Sequence, residues 1–193
     1  MRFIFNLLVI ALFGLALGGG SAWYSIQQAH RFGALSVGPW TAFVYNSAND
    51  VDPYTVARSA AEGNVPLGAT EGLTFEALTD SAGRELDRAC RYRIEGATPP
   101  AKLWTLAAYD ETRKQVPPAP GGTSAHYSNA ILRFSDGSFL ISAAPWPQSG
   151  NWLAISGKGP FHLVLRLYDT PLVSSGGLAQ PQMPIIERQD CLR

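Results

Sequence analysis

The sequence predicts a mainly β body with one short helix, set behind a single apolar N-terminal helix. Three observations lead there. Residues 3 to 24 carry no charged side chain. Gly (19) and Pro (14) accompany Trp (5), Tyr (7) and Phe (9), the mix expected of many short strands joined by tight turns. Beyond residue 70 the apolar positions alternate, the period of a strand with one buried face.

The N-terminal segment comes first in the chain. After Arg2, no Lys, Arg, Asp or Glu occurs until Arg31. As a helix, residues 3–24 would reach about 33 Å, at about 1.5 Å per residue, which covers a hydrocarbon core. A helix apolar on every side offers water no polar face. Two fates fit: an uncleaved signal anchor, or a signal peptide cut after the small residues Gly20-Ser21-Ala22. The early start at Phe3 and the Trp23-Tyr24 pair, suited to a membrane–water boundary, favour the anchor. Residues 1–28 are expected to cross once, with Arg2 and the α-amino group in the cytoplasm. The lipid bilayer, met through residues 3–24, is then a partner. Cleavage would instead release a secreted or periplasmic body.

The chain has two cysteines, Cys90 and Cys191. In an oxidising compartment they can pair and tie the C-terminal tail to the body. A loop that long gives about 4–5 kcal/mol in the chain-entropy model. The alternative is two unrelated thiols, one buried and one in the tail.

Residues 29–49 read as a linker, broken by Gly33, Gly38 and Pro39, with "WTAFVY" able to make a short strand. The body follows, over residues 50–193. Asp52 suits a helix N-cap, Pro53 the first helical position and Gly63 the stop, which predicts one short helix rich in small residues. "LTFEALTD" and "ACRYRIE" then alternate, placing Cys90, Tyr92 and Ile94 inward. "AKLWTLAAYD" is a further strand. "QVPPAPGG" (115–122) cannot hold a ladder, because its prolines lack donors, and reads as a solvated loop or a mobile lid. In "ILRFSDGSFLIS", Asp136-Gly137 predicts a two-residue type I′ hairpin with Phe134 opposite Phe139 and Leu132 opposite Ile141, both pairs facing the core. In "PFHLVLRLYD", Phe161, Leu163, Leu165 and Leu167 share the core face. His162, Val164, Arg166 and Tyr168 share the other.

Lys+Arg and Asp+Glu are each 15, a formal net charge of zero. With no basic run, nothing marks a phosphate-binding surface, so no nucleic-acid partner is expected. The cluster from Arg84 to Arg93 interleaves acids with bases and reads as a solvated strand face. "SGKGP" around Lys158 is no Walker loop, since a proline and a strand follow where a Ser or Thr and a helix belong. There is no G-x-S-x-G elbow. His30, His126 and His162 lack metal-ligand spacing, so neither metal nor cofactor is expected.

"YRIEG", "PPAKLWTLAAYD", "NAILRFSDGSFLISAAPWP" and "NWLAISGKGPFHLVLRLYDTP" together resemble the bacterial family named domain of unknown function 1214. The resemblance runs from about residue 50 to the C-terminus and rests on Asn151-Trp152-Leu153, Gly159-Pro160-Phe161 and Leu165-Arg166-Leu167-Tyr168. Where similar chains usually carry a proline after Asn-Trp-Leu, this one has Ala154-Ile155-Ser156. The resemblance implies a jelly-roll-like antiparallel β-sandwich. It also implies a companion β-rich domain, domain of unknown function 1254, which would here be a separate chain. The anchor would then sit in the bacterial inner membrane, with the body in the periplasm.

The family-like segments hold a polar and aromatic set: Trp104, Tyr109, Asp110, Asn151, Trp152, Arg166 and Tyr168. Aromatic faces stack and Arg or Asn fixes orientation, as carbohydrate or amphiphile binding requires. The plainer reading makes the rings core corners and pairs Arg166 with Asp110. The expected function is a membrane-anchored periplasmic module that binds or interacts. The alternative is a hydrolase-like or isomerase-like envelope enzyme using Asp110, His126 or Arg166, which requires the three to converge. A purely structural role in envelope assembly is a third reading.

Overall fold

The computed structural model describes residues 2–28, 34–43, 71–172 and 181–192. The helix expected from Asp52 to Gly63 lies outside them. Helix α1 is Arg2–Gln28. Its first 23 residues, Arg2–Tyr24, have a mean hydropathy of 2.2 and bury nothing against the body. By length and composition this helix can cross a membrane.

Among the described residues ten strands follow: β1 (Ala34–Val37), β2 (Trp40–Phe43), β3 (Gly72–Ala77), β4 (Cys90–Gly96), β5 (Leu103–Asp110), β6 (Ala125–Tyr127), β7 (Phe139–Ala144), β8 (Asn151–Ala154), β9 (Phe161–Tyr168) and β10 (Ile185–Cys191). They form a six-stranded sheet, ordered β1-β2-β3-β9-β5-β6, and a four-stranded sheet, ordered β10-β4-β7-β8. All pairings are antiparallel except β7 with β8.

Alternation places the core between the two sheets. Leu73, Phe75 and Ala77 of β3, Trp104, Leu106 and Ala108 of β5, and Phe161, Leu163, Leu165 and Leu167 of β9 face Tyr92, Ile94, Phe139, Ile141 and Ile186 of the smaller sheet. Ring contacts fix how the layers align. Trp104 meets Phe139 at 5.0 Å and Tyr92 meets Phe161 at 5.7 Å. Each pair is favourable beyond its buried area.

The stretch 29–49 does more than link. It supplies β1 and β2, and buried Trp40 donates its indole N–H to the Pro184 carbonyl at 2.7 Å. That bond ties the start of the six-stranded sheet to the start of β10. Across the body, the Ala154 amide donates to the Thr123 carbonyl at 2.9 Å. There Gly122 is obligatory, since a Cβ would run into Ala154 and the Trp152 ring.

Three local expectations are corrected. The Asp136-Gly137 turn is not type I′, which requires both central residues at positive φ; among the described non-glycine residues only Arg113 and Asp169 take one. Gly137, at φ 84°, instead ends a three-residue loop: Phe134 accepts from the Gly137 amide at 3.0 Å and donates to Ser138 at 2.9 Å. Asp136 favours this turn by accepting from the Ser138 amide and hydroxyl. The register slips by one residue, to Arg133 opposite Phe139. A one-residue slip turns every side chain over, so Leu132 and Phe134 face solvent. The loop 115–122 is not simply solvated, because Val116 and Ala119 are buried. The bases from Arg84 to Arg93 do not form one solvated face either. Arg84 bonds buried Asp80, Arg88 holds the loop 156–159 through the Ser156, Lys158 and Gly159 carbonyls, and Arg91 pairs with Asp190.

Cys90 and Cys191 form a disulfide that clips the end of β10 to the start of β4. It spans a bulge, where the register shifts between Arg188 and Cys191.

Candidate functional site

The core consumes one face of β9, and the other face of the six-stranded sheet carries Tyr109, Arg166 and Tyr168 of the polar and aromatic set. Cross-strand pairing lines it up. On β5 and β9, Tyr109 lies opposite His162, Ala107 opposite Val164 and Thr105 opposite Arg166. On β3, Glu76 lies opposite Val164 and Thr74 opposite Arg166. Ala107 and Val164 are buried yet stand outside the core cluster, and form a small apolar floor.

Around the floor stand rings and guanidinium groups. The Tyr109 and His162 rings stack at 5.9 Å, 19° apart. Arg166 lies over the Tyr109 ring at 5.2 Å and donates to its hydroxyl at 2.9 Å. Arg113 pairs with Glu76 at 2.9 Å. Burial pushes the His162 pKa below the ordinary imidazole value, Arg113 adds to this, and Glu76 and Asp110 oppose it. Its neutral form is thereby favoured. Among the described residues Arg166 forms no salt bridge. The shelf thus combines an apolar floor, a ring stack and a cation that pairs with no carboxylate among the described residues.

The structure brings Tyr109 and Arg166 together, with Tyr168 two residues along β9 on the same face. It does not bring in the others. Trp104 is a core residue beneath Arg133, whose guanidinium lies 5.8 Å from its ring. Asn151 is buried and spent on backbone: its Oδ1 accepts from the Leu132 amide at 2.8 Å, and its Nδ2 donates to the Leu132 and Leu140 carbonyls at 2.8 and 2.9 Å. Trp152 donates its indole N–H to the Ala144 carbonyl at 3.0 Å. Asp110 closes its own turn, accepting from the Thr112 hydroxyl and amide and from the Lys114 amide. These bonds, the Thr112 hydroxyl first, hold its carboxyl below the ordinary value. The Arg166–Asp110 pair is not made, because Asp110 lies five residues along β5 from the partner of Arg166 and ends the strand.

His126 sits elsewhere. It lies on β6 opposite core residue Leu106 of β5, is buried, and its Nε2 finds no hydrogen-bond partner among the described residues. Burial lowers its pKa, against a hydrogen bond with the Trp152 backbone. Asp110, His126 and Arg166 thus occupy a strand-end turn, an inward face and an outward face.

The residues missed in the sequence are His162, Glu76 and Arg113. Alternation placed His162 on the face of Arg166, but the ring stack depends on which strand lies beside β9. A second missed feature is buried Asp80. Burial pushes its carboxyl up, but the Arg84 amide and guanidinium and the Ala82 amide outweigh that and hold it low. Arg188 of β10 approaches Asp80 at 3.7 Å and lies over Tyr92 at 5.5 Å. This network secures β10 and involves none of the shelf residues.

A family model described as Protein of unknown function (DUF1214) matches residues 71–172. Among solved structures, the chain is similar to the VPA0106 protein from Vibrio parahaemolyticus, with 20% identity and a TM-score of 0.57 over 71% of this chain and 35% of that one. It is also similar to an uncharacterized protein from Burkholderia cenocepacia, with 17% identity and a TM-score of 0.47 over 89% of this chain and 40% of that one. The matched region thus spans well under half the length of either. No curated protein matches the chain.

Proposed function

Since the chain belongs to the DUF1214 family, whose description names no activity, we propose that it is a membrane-anchored periplasmic binding module with a jelly-roll-like sandwich as its body. Its ligand is a sugar or an amphiphile seated on the Tyr109–His162–Arg166 shelf. The observation that carries this reading is the shelf itself: a ring stack and a guanidinium over an Ala107–Val164 floor. Rings stack on the apolar face of such a ligand, and Arg166 orients a hydroxyl or acidic group on it. Asp110, His126 and Arg166 face different ways, which favours binding over acid–base chemistry. The disulfide fits an oxidising compartment and so supports export of the body. A separate β-rich chain of the domain 1254 kind is proposed as companion, as the family resemblance implies.

The test is a thermal-shift and titration screen of sugars and amphiphiles on the full-length chain in nanodiscs. A ligand that binds wild type should lose about tenfold or more in affinity to Arg166→Gln, the order expected for a charge-assisted hydrogen bond. Turnover of that ligand, abolished by Asp110→Asn or His126→Gln, would make the protein an envelope enzyme instead. Equal affinity in wild type, Arg166→Gln and Tyr109→Ala would move the site off the shelf.

A further inference from the structure

The strand registers show which end of the body the anchor enters. β1 begins at Ala34, opposite Phe43. Through β2, β3 and β9 that end continues to Gly72 and Tyr168, then to Leu103 on β5 and Tyr127 on β6. The Trp104–Phe139 contact aligns the Phe139 end of β7 with it. The 135–137 turn therefore projects from the same end as the tether.

Six large exposed apolar side chains mark the described body, and four of them lie toward this end. Among the described residues of the body they are Leu78, Tyr127, Leu132, Phe134, Ile185 and Leu192. Leu78 and Leu192 lie at the far end, just beyond Ala77 and Cys191. Tyr127 (49% exposed), Leu132 (68%) and Phe134 (51%) stand on β6 and the 131–134 segment, toward the tether end. Ile185, opposite Glu95, lies toward that end on the other side.

From Gln28 to Ala34 the chain can reach about 22 Å at most, at about 3.6 Å per residue. β6 lies five inter-strand spacings from β1, about 24 Å at about 4.8 Å each. A body so closely tethered cannot rise far from the surface its anchor crosses, and a modest tilt brings the β6 corner down to that surface.

We infer that Tyr127, Leu132 and Phe134 form a membrane-resting corner that inserts into the interfacial layer of the bilayer crossed by α1. This rests on reading α1 as a span. Phenylalanine, tyrosine and leucine are the side chains that settle at that depth. The attraction is apolar rather than electrostatic, because Lys102 and Arg133 at this end are matched by Glu71, Asp136 and Asp169, and Lys102 lies 3.9 Å from Asp169. Docking therefore needs no anionic lipid and survives salt. It also gives the exposed Leu132 and Phe134 a role that the core does not.

The test uses the full-length chain in phosphatidylcholine vesicles carrying a shallow acyl-chain spin label. The native cysteines are joined, so an added one takes a fluorophore alone. Leu132→Cys and Phe134→Cys probe the corner, Leu78→Cys the far end and Phe13→Cys the helix. Quenching at 132 and 134 should exceed that at 78 by about two- to threefold, because a side chain settled about 5–10 Å deep lies within reach of the label. It should persist at high salt. Quenching at 13 with 132 and 134 no different from 78 would overturn the docking and leave the span standing. No quenching at 13 would remove the span, and the docking with it. Labels at 132 and 134 shielded from aqueous iodide yet unquenched by lipid would mean a second copy covers the corner, which also overturns the proposal.

Discussion

Asn151 saturates three backbone groups that would otherwise be stranded beside β7, two on Leu132 and one on Leu140. Leaving buried donors and acceptors unmet costs about 1–3 kcal/mol each before relaxation. Asn151→Ala should therefore destabilise the body by about 2–3 kcal/mol, read as a lower denaturant midpoint at unchanged slope. An unchanged midpoint would mean water serves those groups equally well. Acid acts at this scale too. His126 and His162 have folded pKa values below their unfolded ones. The stability they contribute is complete above about pH 6.5, the unfolded value, and is lost as pH falls through their folded pKa values. Asp80 is likewise held low, and its contribution, complete above about pH 4, disappears as pH falls through its folded pKa. Melting across pH should show a decline beginning near pH 6.5 and a further one below about pH 4, the second smaller in Asp80→Asn, where the Asp110 and Asp136 carboxyls still contribute. A flat profile would contradict both assignments.

At the scale of elements, the disulfide and the Asp80–Arg188 contact secure β10 on β4. Reduction, or Cys191→Ser, should raise hydrogen exchange along β10 first and cost up to about 4–5 kcal/mol in the chain-entropy limit; uniform exchange after reduction would show that the Trp40 and Ser81 contacts suffice. The 134–139 turn gives a sharper pair. Phe134→Ser should change stability by no more than about 0.5 kcal/mol, as at other exposed sites, whereas Phe139→Ala should cost about 3–5 kcal/mol. Equal losses would restore the two-residue turn. These elements also show what was legible in the sequence. The alternating faces of β4 and β9 were readable because period two depends only on neighbours along the chain. The turn at Asp136 was not, since both loop lengths use Asp-Gly and the choice rests on Ser138 capping the Asp136 carboxylate. The shelf was half readable. Arg166 and Tyr109 stood out as residue types, but their meeting with His162 depends on β5 and β9 being neighbours, 51 residues apart in sequence between Asp110 and Phe161. Asn151 and Trp152 were conspicuous for the same chemistry and proved to serve the backbone.

At the scale of the whole molecule, residues 29–33 join an apolar rod to a two-sheet body. Family membership and the likeness to a solved fold concern the body. By its length and hydropathy the rod can cross a membrane, and we propose that it does. The shelf and the membrane-resting corner both take their meaning from that crossing, so one experiment bears on all of it: mass and protease sensitivity of the chain in membranes from intact spheroplasts. The account predicts a full-length polypeptide that resists alkaline extraction and whose body is digested by protease added outside. A polypeptide free in the cytosol, or one shortened by the first 22 residues and released to the periplasm, would contradict it.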